Sequence, residues 1–308
     1  SLGEFVFDQG WAEAAYRAGI EYYPKLLAGV PFTPVTGPRF LTAGGERRAI
    51  IDAFATALEE ICRRRELSSV HVNFCLDEEV EVLAARGWLQ RTGFQYHWTN
   101  PGFASFDDYL ASLRSKRRNQ TRREMRELAA QGVTIETLVG DAIPDALFPT
   151  MSALYARTAS ELVWGREYLN RRFFELVGER LRPRLCLVVA RQRGEVVAGT
   201  FNVQKGAALY GRHWGAFRQL RHLHFNVCYY AAIAHCIAAG LRRFEPGAGG
   251  EWKQLRGFDP VPTQSMHFIR DPELRDAVSR ALVRERRAIA REIRFREARS
   301  ALRRDGPD

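Results

Sequence analysis

Between Tyr210 and His267 the chain gathers the residue types that do chemistry. Arg212, His213 and Trp214 close a strand-like run, Tyr210-Gly-Arg-His-Trp-Gly215. Leu223-His-Phe-Asn-Val-Cys-Tyr-Tyr230, with His224, Tyr229 and Tyr230, feeds an apolar helix from Ala231 to Ala239. A short strand, Leu241 to Phe244, leads into Glu245-Pro-Gly-Ala-Gly-Gly-Glu-Trp-Lys-Gln-Leu-Arg-Gly-Phe-Asp-Pro260. Histidine and buried glutamate exchange protons near neutral pH, arginine and lysine hold carboxylates or phosphates, and glycine lets backbone close on a ligand. Arg212, Lys253 and Arg256 suit an anion, Arg256 ahead of Gly257 a bidentate one. Trp214, Tyr229, Tyr230 and Trp252 suit the walls of a side-chain or adenine pocket, although aromatics at helical spacing are more often core. Each residue alone is more often structural, so it is their concentration that points to a site.

Such a site needs a frame, and hydrophobic patterning supplies two. In the first half a Gly44-Gly45 turn, able to present N–H groups to an anion, opens a helix from Arg47 to Arg64. A strand (Val70 to Phe74), a helix (Asp77 to Gly87, with Asp77 as N-cap) and a strand (Leu89 to Trp98) follow. Four prolines between Pro24 and Pro38 forbid a long helix there and make Lys25 and Arg39 solvated loop charges. The second half brings a strand (Val133 to Leu138) and two helices, Pro144 to Ser160 and Arg166 to Leu181, joined at Trp164-Gly165. Hairpin strands (Leu185 to Ala190, Val196 to Val203) turning at Arg193-Gly194-Glu195 and a third strand (Ala207 to Tyr210) follow. The expectation is an α/β protein with mixed sheets in two tandem lobes, residues 1–106 and 133–269. A basic connecting helix fills 107–132, and residues 270–308 form an amphipathic, solvated basic helix with a tail disordered after Arg304.

The connecting helix, Asp107 to Ala130, changes character midway. Arg114-Ser-Lys-Arg-Arg-Asn-Gln-Thr-Arg-Arg123 has six basic residues, no acid and no apolar residue, so core burial does not hold it and it is either exposed or bound. Lys116, Arg117, Arg118, Arg122 and Arg123 suit phosphate contacts as well as a solvated linker. Net charge is −5 over residues 1–113 and +15 over 114–308, a field that favours polyanionic partners. No apolar run approaches the roughly 20 residues of a membrane helix, and no signal-peptide pattern opens the chain, so a soluble, cytoplasmic protein is expected. The five cysteines include no C-x-x-C pair, which argues against a zinc site or a disulfide framework.

Tyr22-Tyr-Pro-Lys25, Val30-Pro-Phe-Thr-Pro-Val-Thr-Gly-Pro-Arg39, Cys228-Tyr-Tyr230 and Gly250-Glu-x-Lys-x-x-Arg-Gly257 resemble the bacterial Fem-like family of N-acyltransferases. The hairpin, the Leu223 to Ala239 helix and the following strand resemble the GNAT-like core. The resemblance covers nearly the whole chain. It implies two tandem GNAT-like lobes and direct transfer of an acyl group to an amine, with Glu251, His213 and His224 as candidates for proton transfer, His224 and His213 titrating near neutrality, and His267 as a further candidate. Cys228 as a nucleophile is disfavoured, because such transfer needs no covalent intermediate. Asn226, Ala231 and Trp252 stand where the family pattern leads one to expect an acid, a glutamine and a histidine, which implies a specialised substrate.

The acyl donor separates the remaining readings. A GNAT-type acyl-CoA enzyme is expected to carry a glycine-rich turn before its main helix, whereas Gly215-Ala-Phe-Arg-Gln-Leu-Arg-His-Leu-His224 has one glycine and two arginines, Arg218 and Arg221. Fem-type relatives use aminoacyl-tRNA, which suits the basic segment and the positive second half. Aminoacyl transfer from tRNA to a peptide or small-molecule amine, with no tightly bound cofactor and no metal, is therefore favoured over acyl-CoA transfer. Non-catalytic nucleic-acid binding accounts for the charge but leaves the Tyr210–His267 residues without a role.

Overall fold

The computed structural model describes residues 3–161 and 167–303. The first half runs α1 (Gln9–Arg17), β1 (Leu26–Ala28), α2 (Arg47–Arg64), β2 (Ser69–Asn73), α3 (Asp77–Ala85), β3 (Leu89–Thr99), α4 (Phe106–Ser112), α5 (Ser115–Ala129), β4 (Val133–Val139) and α6 (Leu147–Glu161). The second runs α7 (Arg171–Leu181), β5 (Leu185–Gln192), β6 (Glu195–Lys205), β7 (Ala208–Ala216), α8 (Leu223–Phe225), a π-helical stretch (Asn226–Tyr230), α9 (Ala231–Ala238), β8 (Arg243–Glu245), a 3-10 turn (Glu251–Arg256), β9 (Asp259–Ile269) and α10 (Pro272–Glu297). The fold is mixed α/β, as expected. The Trp164-Gly165 connection and the tail after Arg304 lie outside the described residues.

Two compact units divide the chain, and neither is contiguous. Ser1–Gln95 joins Pro260–Ala298, and Tyr96–Asp259 joins Arg299–Asp308, where consecutive lobes were expected. The cause is β9, which Pro260 and Pro262 hide from a reading of strand propensity. It pairs antiparallel with β2, and α10 then packs Leu274, Val278 and Leu282 with Trp11 and Ala15 of α1.

In the first unit the strand order is β1-β2-β9-β3. One face carries α2 and α3, with Ile51, Ala55, Cys62, Val82 and Leu83 closing on Val70, Val72 and Met266. The other face is polar beneath α1. His71 Nδ1 lies 2.7 Å from His267 Nδ1, and Ser69 and Ser265 meet the outer nitrogens of the two rings at 2.8 and 2.9 Å. Lys25 is not a solvated loop charge: its side chain is 4% exposed, with Nζ 2.7 Å from Asp8 and 2.8 Å from Glu4. Arg39 likewise caps the end of β2, its Nε donating to the Asn73 carbonyl at 2.6 Å.

In the second unit the order is β3-β8-β7-β6-β5-β4, antiparallel throughout except for the parallel pair β7/β8. α6 and α7 bury Leu147, Phe148, Met151, Leu154 and Phe174 against Leu185, Leu187, Val189 and Phe201. Leu128, Val133, Val188, Ala198, Leu223 and Val227 fill the opposite face. The expected helix from Asp107 to Ala130 is two helices, because Leu113 adopts extended backbone and bridges to Leu302.

Candidate active site

The site of the second unit forms where β7 and β8 part. They pair only over Ala208–Tyr210 against Arg243–Glu245; β7 continues to Ala216 while the chain leaves β8 at Pro246. Beyond Tyr210, β7 runs on without β8 beside it. Two local features shape the parting. Arg212 is the extra residue of a bulge between the pairs Asn202/Gly211 and Phe201/His213, which re-aims its neighbours. Gly211 lets Pro246 come close, since a Cβ there would lie 3.2 Å from the proline Cα.

From Pro246 the chain turns through Gly247, Gly249 and Gly250, all at positive φ, and threads Lys253 inward. Lys253 is 4% exposed, and its Nζ donates to the Gly247 carbonyl at 2.6 Å and the Ala248 carbonyl at 3.4 Å. Burial pulls its pKa down to about 8. An ammonium has three N–H donors, and among the described residues only these two carbonyls accept from it.

Arg256, expected to grip a substrate anion, is instead spent on the fold. Its Nη2 meets Glu124 Oε2 at 2.8 Å, its Nε donates to Tyr230 Oη at 2.9 Å, and its guanidinium stacks 3.4 Å from the Phe225 ring. Tyr230 in turn donates to the same Glu124 oxygen, and Gln120 donates to the other at 2.8 Å. Burial acts to raise the Glu124 pKa, but the hydrogen bonds from Tyr230 and Gln120 and the Arg256 charge hold it below the ordinary value. The basic helix is thus held by a buried carboxylate next to the stretch whose lack of apolar residues had left it either exposed or bound. Thr121, Glu124 and Leu128 form its buried face.

The expected histidines separate. His224 packs edge-on against Trp214 at 4.9 Å and Tyr229 at 5.3 Å, and burial, with Arg256 and Lys253 nearby, pushes its pKa down to about 4. His213, one residue before Trp214 on β7, packs with Tyr155, Phe174 and Phe201, and burial takes it to about 4. Neither titrates near neutrality, because both rings are among aromatics. His267 belongs to the first unit. Glu251 is exposed on the 3-10 turn rather than buried among aromatics, and Trp252 is 62% exposed, 6.4 Å from the Phe225 ring. Tyr229 is buried against Phe258, Arg212 is half-buried, and the Cys228 thiol is pushed well above its ordinary pKa by burial, so it is not a thiolate.

Of the basic residues expected to meet phosphate, Arg218 is tied to Glu195 at 2.8 Å, and Arg221 reaches Glu127 at 3.3 Å. On α5, Arg122 and Arg123 make long pairs with Asp107 and Glu127 at 3.7 and 3.8 Å; Arg117 bonds Gln120, Arg118 bonds the Leu113 carbonyl, and Lys116 is exposed. Three residues escaped the sequence reading: Glu124, the first acid after the Arg-rich stretch, and the pair His97 and Glu245. His97 lies on β3 one step along the ladder from the pairs Trp98/Phe244 and Thr99/Arg243, so it faces Glu245, with Nε2 3.7 Å from Oε2.

Comparison with known proteins shows the family to which this mixed α/β chain belongs. Residues 1–304 match the FemAB-like family, described as peptidoglycan biosynthesis/recognition, and the chain belongs to that family. Among solved structures it is similar to the C-terminal domain of a putative lysylphosphatidylglycerol synthetase from Agrobacterium fabrum (13% identity, 78% of this chain and 79% of that one, TM-score 0.54). It is also similar to L-PGS from Bacillus licheniformis (9%, 77% and 80%, 0.54) and to FemX (10%, 83% and 82%, 0.52). At these identities the likeness is one of fold. No curated protein matches the sequence.

Proposed function

We propose that the protein is an N-acyltransferase that moves an aminoacyl group from aminoacyl-tRNA to the amine of a peptide or amino metabolite, forming an amide by direct attack. The observation that carries this reading is Lys253, a buried ammonium at the parting of β7 and β8 with an N–H beyond those its two carbonyl partners take. A desolvated cation stabilises the oxyanion that develops when an amine attacks an ester, and does so far more strongly than in water. Membership of a family described as peptidoglycan biosynthesis/recognition supports an aminoacyl or peptide substrate. The similarity of its fold to a putative lysylphosphatidylglycerol synthetase domain and to FemX is consistent with that.

Lys116, Arg117, Arg118, Arg122 and Arg123 of α5, with Arg221, supply the positive surface for the tRNA backbone. The tRNA is a co-substrate rather than a bound cofactor. Trp214 and Tyr229 pack around the half-buried His224, and its neutral ring orients substrate rather than taking its proton. The test is a choice of donor. Purified protein is offered charged tRNA in one tube and acetyl-CoA in another, with a pool of amines. Salt-sensitive retention of charged tRNA on a filter, without loss of thioester, is the expected result. Thioester consumption without tRNA retention points to an acyl-CoA enzyme, and retention without transfer to a binding protein.

A further inference from the structure

The strand pairing that sets His97 opposite Glu245 leaves both side chains incompletely satisfied. They are 8% and 5% exposed, and among the described residues neither His97 Nε2 nor Glu245 Oε2 has a hydrogen-bond partner. At 3.7 Å the two atoms are too far apart to bond each other, and a single small polar group can bridge them. Arg243 occupies the other oxygen of Glu245, with Nε 2.8 Å from Oε1, and its Nη2 also donates to Tyr210 Oη at 3.3 Å. Oε2 is therefore the oxygen left toward His97. The pair belongs to the parting described above: Glu245 is the last residue of β8, paired with Tyr210 of β7. Buried polar atoms without partners are rare enough in folded proteins to call for an occupant.

We propose that His97 and Glu245 form the seat of the acceptor amine, a primary amine that donates one N–H to Glu245 Oε2 and one to His97 Nε2. The inference rests on the N-acyl-transfer reading and adds to it the residues that receive the nucleophile. Burial, with Arg243 and Lys253 nearby, pushes the His97 pKa down to about 4, so at neutral pH its ring is uncharged and one nitrogen offers a lone pair. Burial raises the Glu245 pKa against the pull of Arg243, which strengthens the carboxylate as a base.

The transfer then balances. The substrate arrives as an ammonium and gives one proton to Glu245, and its freed lone pair forms the C–N bond at the ester carbonyl. The C–O bond to the ribose breaks, and the departing ribose oxygen takes the second proton from nitrogen. Glu245 returns its proton to solvent.

Because the acceptor itself is unidentified, the probe is ethylammonium chloride, titrated into 15N-histidine-labelled full-length protein at constant ionic strength with tetramethylammonium chloride as balancing salt. Sequential connectivities assign the His97 ring. The expected result is saturable movement of the His97 ring resonances with ethylammonium and none with tetramethylammonium, which has no N–H to donate. In Glu245→Gln, shown to be folded by circular dichroism, binding should be about tenfold weaker, the loss of one charge-assisted hydrogen bond. Resonances that stay still in the wild-type protein, or move equally with both cations, overturn the proposal and leave a water as the bridge. No acyl donor enters this measurement, so a failure here is separate from a failure of the aminoacyl-tRNA reading.

Discussion

Arg256 and Glu124 form an ion pair of 2.8 Å, with side chains only 2% and 3% exposed. It ties the 3-10 turn carrying Lys253 to the basic helix. A buried pair of this kind is costly to break, because removing one partner strands the other charge in a medium that cannot solvate it. Glu124→Ala should therefore destabilise the second unit by about 3–5 kcal/mol in urea unfolding. Glu124→Leu combined with Arg256→Met should recover much of that loss. A single variant within about 0.5 kcal/mol of wild type, as for an ordinary surface substitution, would show that the network is not what holds α5.

Acid should unfold the protein well above the range in which carboxylates titrate. Burial holds His71 at a pKa of about 3 and His97, His213 and His224 at about 4, against an ordinary 6.5. Each ring is neutral in the folded chain and gains a proton on unfolding. The stability they contribute is complete above about pH 6.5 and declines as pH falls toward 4, by roughly 1.4 kcal/mol per histidine per pH unit. Denaturant midpoints at pH 7.5 and 5.5 check this. A midpoint that does not move between them contradicts the buried, neutral assignment.

Much of the second sheet is legible from residues alone. Alternation and the Arg193-Gly194 turn, both residues at positive φ, mark the β5/β6 hairpin as a two-residue connection of the kind that follows strand twist. The Tyr210–His267 stretch likewise points to the parting of β7 and β8. What escapes is long-range. His97 and Glu245 are 148 positions apart in the numbering and meet only because β3 and β8 pair in one register. Glu124 reads as a surface acid next to a run of arginines, because nothing local announces that a polar pair rather than an apolar stripe will bury that helix face. His267 joins the site in sequence yet folds into the first unit, since a strand with two prolines reads as a loop.

Lys253 supplies a prediction with a definite sign. If its ammonium stabilises the oxyanion, the active form is protonated, and kcat should fall as pH rises through about 8, where burial places its pKa. Lys253→Met should lower kcat by about 10²–10³-fold. Lys253→Arg, a permanent cation, should keep partial activity and lose the descending limb. An unchanged limb in the arginine variant would assign that titration to another group.

The basic face of α5 should act on affinity rather than on chemistry. Replacing Arg122 and Arg123, whose acidic partners lie 3.7 and 3.8 Å away, by glutamine should weaken tRNA retention and reduce the slope of log affinity against log salt. The reduction should be roughly 0.7–0.9 for each phosphate that the variant no longer neutralises. The rate at saturating tRNA should be unaffected. An unchanged slope makes this face a solvated one.

The most direct test of amide formation follows the acyl group itself. Charged tRNA carrying a labelled amino acid is incubated with the protein and a pool of primary amines, and the label is assayed before and after mild alkali. An aminoacyl ester is cleaved by alkali and an amide survives. Label should pass from an alkali-labile to an alkali-stable form only when protein and amine are both present, and not with Lys253→Met. Label that stays alkali-labile while an acyl-CoA thioester is consumed in a parallel tube would contradict aminoacyl transfer from tRNA.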